Sequence, residues 1–227
     1  MKKFILSITI FFLFNGQTFS HVDHYAKYNY LEYELYRNNN SIGYHKYDFI
    51  RKGKDLSIKS EVSFKITKLG VDLYKYFAKS EEDYKDGIFQ SYKSKTKQNK
   101  KNRYVNIIID PTNDHLIIDG SSYQGKADKK FIVGTWWNHE IIQAKAQISG
   151  ISGRIIDQTV TFIGKEEVKI GDKTYKTLRF NFKSSDKTLP DSKKLDTDIW
   201  YEENTYLWVK AAFDKTGYWE YRLKKVN

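Results

Sequence analysis

The sequence predicts a mainly β protein: an antiparallel meander of about 12 strands curled into a half-barrel or open barrel, with one short helix near residues 138–144. Three observations lead to this fold class. Leu56 to Ile66 alternates between apolar and polar side chains, as in a strand with one buried face. Short turn signals such as Asp86-Gly87 recur and predict antiparallel hairpins. A sheet of so many one-sided strands has to twist and curl to bury its apolar face.

Residues 1–20 have the pattern of a secretory signal peptide. A basic N-terminus precedes the apolar run Phe4 to Phe14, and Thr18 and Ser20 are the small residues of a cleavage site. We therefore expect cleavage after about Ser20, export to the periplasm, and a single β-rich domain at residues 21–227. The alternative is an uncleaved N-terminal anchor, against which the shortness of the apolar run argues.

The amino-acid composition excludes several kinds of chemistry and of binding partner. The chain has no cysteine, so disulfides, thiolate catalysis, cysteine-based zinc sites and a lipid-modified N-terminal cysteine are all excluded. The formal net charge of +11 would suit a nucleic-acid partner, but only six of the basic residues are arginine, the residue that reads phosphates and bases best. Export also separates the protein from nucleic acid. We expect no nucleic-acid binding and at most peripheral contact with an anionic membrane surface.

Strand patterns follow one another through the first half of the mature chain. The first hairpin joins a Tyr- and Leu-rich strand to its return through the turn Asn38 to Ser41. Gly70, Asp86-Gly87 and a turn containing Pro111 separate later strands. The predicted strands are 27–37, 43–51, 56–66, 72–79, 88–97, 104–109 and 115–118.

The second half repeats the pattern after an irregular stretch. Residues 121–130 are polar and contain Gly125, so we interpret them as a loop. Hairpins resume after Gly153, with turns at Gly171 and Thr216-Gly217. The predicted strands are 157–163, 166–170, 174–182, 197–201, 206–213 and 218–224. No linker or change of composition divides the chain, which indicates one domain.

The stretch from Phe131 to Ala144 interrupts the hairpins. Asn138 is a typical helix N-cap, and Glu140 lies where a carboxylate favours the helix dipole, so we predict a two-turn helix to the end of this stretch. Trp136 and Trp137 cannot both face inward in an extended segment. One is expected in the core and the other toward a groove or water.

Several short pieces together resemble a known family. They are Ser41–His45, Leu73–Tyr76 with Glu82, Asp86-Gly87, Thr135–Asn138 and Asp198–Tyr201, followed by Val209, Phe213 and Tyr221–Leu223. In this order they are similar to an uncharacterised family of exported bacterial proteins, domain of unknown function 6134. The resemblance covers nearly the whole mature chain and implies an exported β-rich domain, close by analogy of fold to the curved half-barrel sheets of lipoprotein carriers. The family has no established activity, so the resemblance implies no catalytic residues.

Patterns for catalysis or metal binding are incomplete. His139 to Gln143 resembles the helix of zinc proteases, but Gln143 replaces the second histidine that the metal requires. Glu81-Glu82-Asp83 is interpreted as a set of solvated turn residues, because catalytic carboxylates flank a substrate from separate strands. His21 and His24 are expected in a frayed terminus. We predict no catalytic residue, no metal and no cofactor.

Export, one-sided strands and an aromatic content of 18 Tyr, 14 Phe and 5 Trp indicate a cavity lined by rings. Our hypothesis is a non-enzymatic periplasmic protein that holds an apolar or amphiphilic, lipid-like ligand on the concave face of the sheet. The predicted ligand-binding residues are Trp136, Trp137, His139, Tyr74 and Trp200. One alternative is a structural protein of the cell envelope with a filled core and a protein partner. A second is a periplasmic hydrolase that uses His139.

Overall fold

The computed structural model describes residues 23–112 and 114–227. The predicted signal peptide, residues 1–20, lies outside these ranges. The strands are β1 (Tyr30–Arg37), β2 (Asn40–Lys52), β3 (Asp55–Lys68), β4 (Val71–Lys85), β5 (Ile88–Gln98), β6 (Lys101–Ile109), β7 (His115–Gly120), β8 (Tyr123–Asp128), β9 (Ile132–Val133), β10 (Ala146–Ile148), β11 (Ile155–Ile170), β12 (Lys173–Ser184), β13 (Asp196–Glu202), β14 (Trp208–Asp214) and β15 (Tyr218–Val226). Short 3₁₀ helices are η1 (Asp23–Tyr25), η2 (His139–Ile142) and η3 (Asp191–Lys193). Within the described ranges no helix has the length and apolar character needed to span a membrane.

All 15 strands belong to one sheet, in the order β8-β7-β6-β5-β4-β3-β2-β1-β15-β14-β13-β12-β11-β10-β9. The mainly β class predicted from the alternating sequence is therefore confirmed. Strand β1 pairs with β2 on one side and with β15 on the other, so the first and last strands join the two halves of the chain. Within each half, strands that are consecutive in sequence are neighbours in the sheet, as in a meander.

The strand count of about 12 was too low, and three strands account for most of the difference. Residues 121–130, predicted to be a loop, contain β8, which is mostly exposed and is held by backbone pairing with β7. Strands β9 and β10 are very short, and they pair parallel to each other, so the meander is not wholly antiparallel. Strand β11 is continuous where two strands were predicted. Short or polar strands have too little apolar alternation to be recognised from sequence.

The inner face of the sheet is packed with aromatic and aliphatic side chains. The larger of two buried clusters joins β1–β4 to β12–β15 and includes Ile141 from η2 and Tyr25 from η1. The smaller cluster lies between β5–β8 and the short strands β9 and β10. The outer face has alternating charges, with cross-strand ion pairs such as Lys79–Glu61 at 3.1 Å.

The two ends of the sheet meet without a continuous ladder. The turn after β10 reaches the end of β7 and β8, where the Ser122 amide donates a hydrogen bond to the Ser152 carbonyl at 2.9 Å. Gly120 permits this approach, since a Cβ atom at this position would lie 2.6 Å from that carbonyl oxygen. In the part of the chain that the structure describes, no ladder joins β8 to β9. The fold is an open barrel.

The predicted helix near residues 138–144 is a single 3₁₀ turn, η2, and is shorter than the expected two turns. Its N-cap is confirmed, since the Asn138 side chain accepts a hydrogen bond from the Glu140 amide at 3.0 Å. Helix η2 ends at Ile142, and strand β10 begins at Ala146. Isolated 3₁₀ turns of this length are common connectors between strands.

Candidate functional site

Residues 131–150 cross the concave side of the open barrel. Hydroxyl groups from opposite halves of the sheet hold this segment: Tyr47 donates to the Thr135 carbonyl at 2.8 Å, and Tyr201 donates to the Trp136 carbonyl at 2.9 Å. The backbone at Trp136 has a φ of 60°, a left-handed conformation that bulky residues seldom adopt. This turn directs the side chains of the two adjacent tryptophans into different parts of the interior.

Trp137 fills the part of the interior that is capped by η1 and η2. Its side chain is fully buried, with ring contacts to Tyr25 at 5.6 Å and to Phe49 at 5.7 Å. Its indole Nε1 donates a hydrogen bond to the Glu82 carboxylate at 3.0 Å. Trp137 therefore belongs to the packed core, whereas Trp136 is partly exposed. The sequence predicted that one of the two tryptophans would be in the core and that the other would face a groove or water.

Glu82 is a buried carboxyl group on β4, so its interpretation as a solvated turn residue was wrong. Burial raises the pKa of Glu82 from 4.5 to about 7, although hydrogen bonds from Tyr84 and Trp137 oppose the shift. The Tyr84 hydroxyl lies 2.5 Å from one carboxylate oxygen. Thr135 Oγ1 lies 3.5 Å from the other. All of these partners come from core positions or from the crossing segment, so the geometry favours a structural role.

Trp136 belongs to a set of four rings that we call the inner quartet: His45, Trp136, Trp208 and Tyr221. The ring centroids of Trp136 lie 5.4 Å from Trp208 and 5.6 Å from Tyr221. His45 lies 6.2 Å from Trp208 and 6.0 Å from Tyr221. The four rings come from β2, β14, β15 and the crossing segment. They meet because β2, β1, β15 and β14 are consecutive strands of the sheet and residues 131–150 cross that part of it.

Four nitrogen atoms of the inner quartet are shielded from solvent and have no hydrogen-bond partner among the described residues. They are Nε1 of Trp136, Nε1 of Trp208 and both ring nitrogens of His45. Burial lowers the pKa of His45 from 6.5 to about 3, so its ring is neutral at physiological pH. An indole nitrogen can only donate a hydrogen bond, and a neutral imidazole presents one donor and one acceptor. A partner for the two indole nitrogens would therefore have to accept hydrogen bonds.

A chain of aromatic rings leads from the inner quartet toward the β3–β4 turn. Tyr221 lies 6.5 Å from Phe213, and Phe213 is stacked on Trp219 at 5.8 Å. Trp219 contacts Phe64 at 5.3 Å, and Phe64 is stacked on Tyr74 at 5.9 Å. Except for Trp219, these rings are all partly exposed. Tyr74, a predicted ligand-binding residue, thus lies at the far end of this aromatic path rather than beside Trp136.

His139 begins η2 and contacts the N-terminal segment. Its Nδ1 lies 3.0 Å from Nε2 of His24, and its ring is stacked on Tyr206 at 4.6 Å. The expectation of a frayed terminus at His24 was wrong, because this residue lies in η1 and packs against His139 and Tyr25. Among the described residues there is no group of three or more His, Cys, Asp or Glu side chains that could hold a metal.

Trp200 lies on the other face of the sheet. Its neighbours Ile199 and Tyr201 are in the inner cluster, and alternation along β13 turns Trp200 outward. There it lies between Arg179 at 4.9 Å and Lys210 at 4.8 Å, and its indole donates a hydrogen bond to Glu166.

The structure therefore does not bring the five predicted residues together. Trp136 and Trp137 are adjacent but occupy different parts of the interior, and Trp200 is on the outside. Four surface grooves, with volumes between about 410 and 640 Å³, are lined by other residues.

Comparison with known proteins agrees with this architecture. The sequence profile described as "Domain of unknown function (DUF6134)" matches residues 33–224. The chain belongs to this family. A similar solved structure is the crystal structure of a β-barrel-like protein of domain of unknown function DUF1849 from Brucella abortus. It has a TM-score of 0.58 and 11% sequence identity, and the match covers 87% of this chain and 96% of that chain. This likeness shows the fold alone. No curated protein matches the sequence.

Proposed function

We propose that this DUF6134 protein is a non-enzymatic binding protein of the cell envelope that holds one amphiphilic, lipid-like molecule in the open barrel. The head group of this molecule would lie against the inner quartet. One observation carries the proposal: four shielded nitrogen atoms of His45, Trp136 and Trp208 lack hydrogen-bond partners within the described residues. A buried donor that stays unpaired costs roughly 1 to 3 kcal/mol, so such groups are expected to serve a ligand or ordered water.

The donor set defines the chemistry of the head group. Two indole N–H groups favour a carbonyl or carboxylate oxygen, and a hydrogen bond to an ionised carboxylate is about twice as strong as one to a neutral group. His45 adds one donor and one acceptor without adding charge, because its pKa is about 3. The aromatic path from Tyr221 to Tyr74 would then hold an alkyl chain, since apolar rings with few polar groups are typical of such sites.

The location of the protein in the periplasm is part of this proposal. It rests on the signal-peptide pattern of residues 1–20. Cell fractionation and N-terminal sequencing of the mature protein test it. We expect a periplasmic protein whose first residue is His21; a cytoplasmic protein that retains Met1 would refute this part.

The filled-core alternative has an observation in its favour. Large side chains such as Trp137 and Trp208 are fully buried, and the four described grooves lie away from the inner quartet. In that case the protein would act through its surface on an envelope partner. The two functions differ in one measurable respect, which is whether a small amphiphile enters the barrel.

Dodecanoate binding tests the proposed function. Calorimetric titration, together with native mass spectrometry of protein purified from its own envelope, should reveal one bound amphiphile per chain. Trp136→Phe keeps the ring but removes its N–H donor, so we expect the Kd for dodecanoate to rise about tenfold. The matched control is Trp200→Phe on the outer face, which should leave the Kd unchanged. Failure of the wild-type protein to bind dodecanoate or to carry any amphiphile would favour the filled core.

A further inference from the structure

The turn between β3 and β4 exposes an unusual amount of apolar surface. Leu69 at its apex is 95% exposed, followed by Val71 at 62%, Leu73 at 55% and Phe77 at 42%. Leu73 and Phe77 share the outer face of β4, whereas a register shift in the pairing of β3 with β4 interrupts the alternation before Val71. We call these four residues the apolar tip. A contiguous set of large exposed side chains marks an interaction site more often than scattered ones do.

The backbone of the apex makes the choice of leucine costly. Leu69 has a φ of 51° and Gly70 a φ of 78°, the two left-handed positions of a tight hairpin turn. Asparagine or glycine is preferred at the first of these positions, because a bulky side chain strains the left-handed conformation. Leu69 is almost fully exposed, so it gains nothing from the core in return. Folding alone gives no reason for leucine at this position.

Lysines surround the apolar tip. Lys65 lies directly opposite Lys75 across the β3–β4 pair, and Lys97 lies opposite Phe77 on β5. These side chains line a groove of about 640 Å³ on the outer face. Like charges opposite each other destabilise a sheet. Lys68 at the end of β3, with Lys100 and Lys101 between β5 and β6 at the same end of the sheet, adds to the positive charge.

Acidic groups do little to neutralise this charge. Asp72 is the only acidic residue between Val62 and Ala78, and it pairs with Lys75 at 2.9 Å. Among the described residues neither Lys65 nor Lys97 has a carboxylate within ion-pair distance. The surface therefore combines a protruding apolar apex with a rim of lysines in which, among the described residues, Asp72 forms an ion pair with Lys75 and leaves Lys65 and Lys97 without one.

We propose that the apolar tip docks this protein on an anionic lipid bilayer, with Leu69 in the boundary between head groups and acyl chains and the lysines on lipid phosphates. A hairpin end that protrudes matches the flat, yielding surface of a bilayer better than a concave protein groove does. An apolar face with a lysine rim is the pattern of interfacial membrane binding. The aromatic path ends at Phe64 and Tyr74 on the same two strands. This inference goes beyond the proposed function and holds whether or not the barrel binds a ligand.

Co-sedimentation with vesicles tests the apolar part of the proposal. The full mature protein should bind vesicles of mixed phosphatidylglycerol and phosphatidylcholine and should leave vesicles of phosphatidylcholine alone largely unbound. Leu69→Asn creates the Asn-Gly turn that this backbone prefers, so the variant should melt no lower than the wild type. We expect its partition coefficient to fall about tenfold. The control is Ile88→Asn, an exposed apolar residue at the start of β5, next to the end of β4 that is far from the tip, and this variant should bind as the wild type does.

The charge of the rim is tested separately. Lys65→Gln combined with Lys97→Gln should lower binding to the anionic vesicles about tenfold or more, and added salt should weaken the wild type in the same way. The control pair, Lys169→Gln with Lys173→Gln, removes two lysines from the strand ends that flank the β11–β12 turn and should have little effect. Equal binding to neutral and anionic vesicles, or full binding by Leu69→Asn, would overturn the proposal. So would the absence of vesicle binding, which would leave the tip to a protein partner.

Discussion

Burial of Glu82 ties the stability of the fold to pH. The carboxyl group is almost inaccessible, and its pKa is raised from 4.5 to about 7, mainly because water cannot solvate the charge. Tyr84 and Trp137 both contact it, so it links β4 to the segment that crosses the barrel. A protonated Glu82 fits this environment better than an ionised one.

Glu82→Gln should remove part of the pH dependence of stability. Because the folded pKa is higher than the unfolded pKa, the contribution of Glu82 is fully present below pH 4.5 and is lost as the pH rises through 7. A pKa raised from 4.5 to about 7 corresponds to roughly 3 kcal/mol in the free energy of unfolding. We expect wild type and variant to have similar free energies of unfolding at pH 4.5, and the variant to be more stable by up to that amount at pH 8.5.

Urea unfolding at both pH values measures this difference. The matched control is Glu81→Gln, which changes the neighbouring, partly exposed carboxylate on the same strand and should show no such growth with pH. A difference between wild type and Glu82→Gln that stays constant from pH 4.5 to pH 8.5 would show that burial does not raise the pKa of this group.

His45 shows why one residue of the site escaped detection in the sequence. It lies on the inner face of β2, two residues before Tyr47, so alternation would have placed it inward. No catalytic or metal-binding pattern surrounds His45 in the sequence, so no role was predicted for it. Its importance comes from Trp136 and Trp208, which are about 90 and 160 positions away in the chain. Sequence patterns report local faces of strands, not which distant rings share one interior.

The segment of residues 131–150 determines how far the barrel closes. Its two short strands extend the sheet, and the turn that follows docks on β7 and β8. The Tyr92 hydroxyl donates a hydrogen bond to the Gly150 carbonyl at 3.1 Å, which fixes the segment against β5. Apart from the N-cap at Asn138 and the separation of the two tryptophans, little of this element follows from sequence, because tyrosine hydroxyls of distant strands hold it through its own backbone carbonyls.

Gly120→Ala should weaken this closure. The added Cβ would lie 2.6 Å from the Ser152 carbonyl oxygen, so either the turn or the end of β7 has to move. Overpacking of this kind costs about 1 to 3 kcal/mol, and we expect a lower free energy of unfolding by that amount. Hydrogen exchange should also become faster at the Ser122 amide, which donates to that carbonyl.

The control for this contact is Lys126→Ala, an exposed change on β8. It should alter neither stability nor exchange by a comparable amount. If Gly120→Ala were as stable as Lys126→Ala, the two ends of the sheet would not be in the close contact described above.

At the scale of the whole molecule, features set by neighbouring residues were predictable from the sequence, whereas contacts between residues far apart in the chain were not. The mainly β class and most hairpins follow from alternation and turn residues, which act over a few positions. The candidate site does not, since its four rings come from the crossing segment and from strands that are far apart in sequence but close in the sheet. Trp200 is the clearest error of this kind: its aromatic character suggested the cavity, but the strand alternation that turns it outward was readable beside Ile199.

The five tryptophans give a direct test of the binding site. Indole Nε1 donates to Glu82 in Trp137, to Glu166 in Trp200 and to the Lys215 carbonyl in Trp219. The indoles of Trp136 and Trp208 have no acceptor among the described residues. The nuclear magnetic resonance signals of all five indole N–H groups are separable after ¹⁵N labelling, and single Trp→Phe variants assign them.

Titration of the labelled protein with dodecanoate is therefore the decisive measurement. We expect the N–H signals of Trp136 and Trp208 to move furthest downfield as each gains an acceptor, and the signal of Trp200 on the outer face to stay in place. If those two signals remain fixed while dodecanoate is present in excess, or if Trp200 responds as strongly as they do, the inner quartet does not bind the head group of an amphiphile.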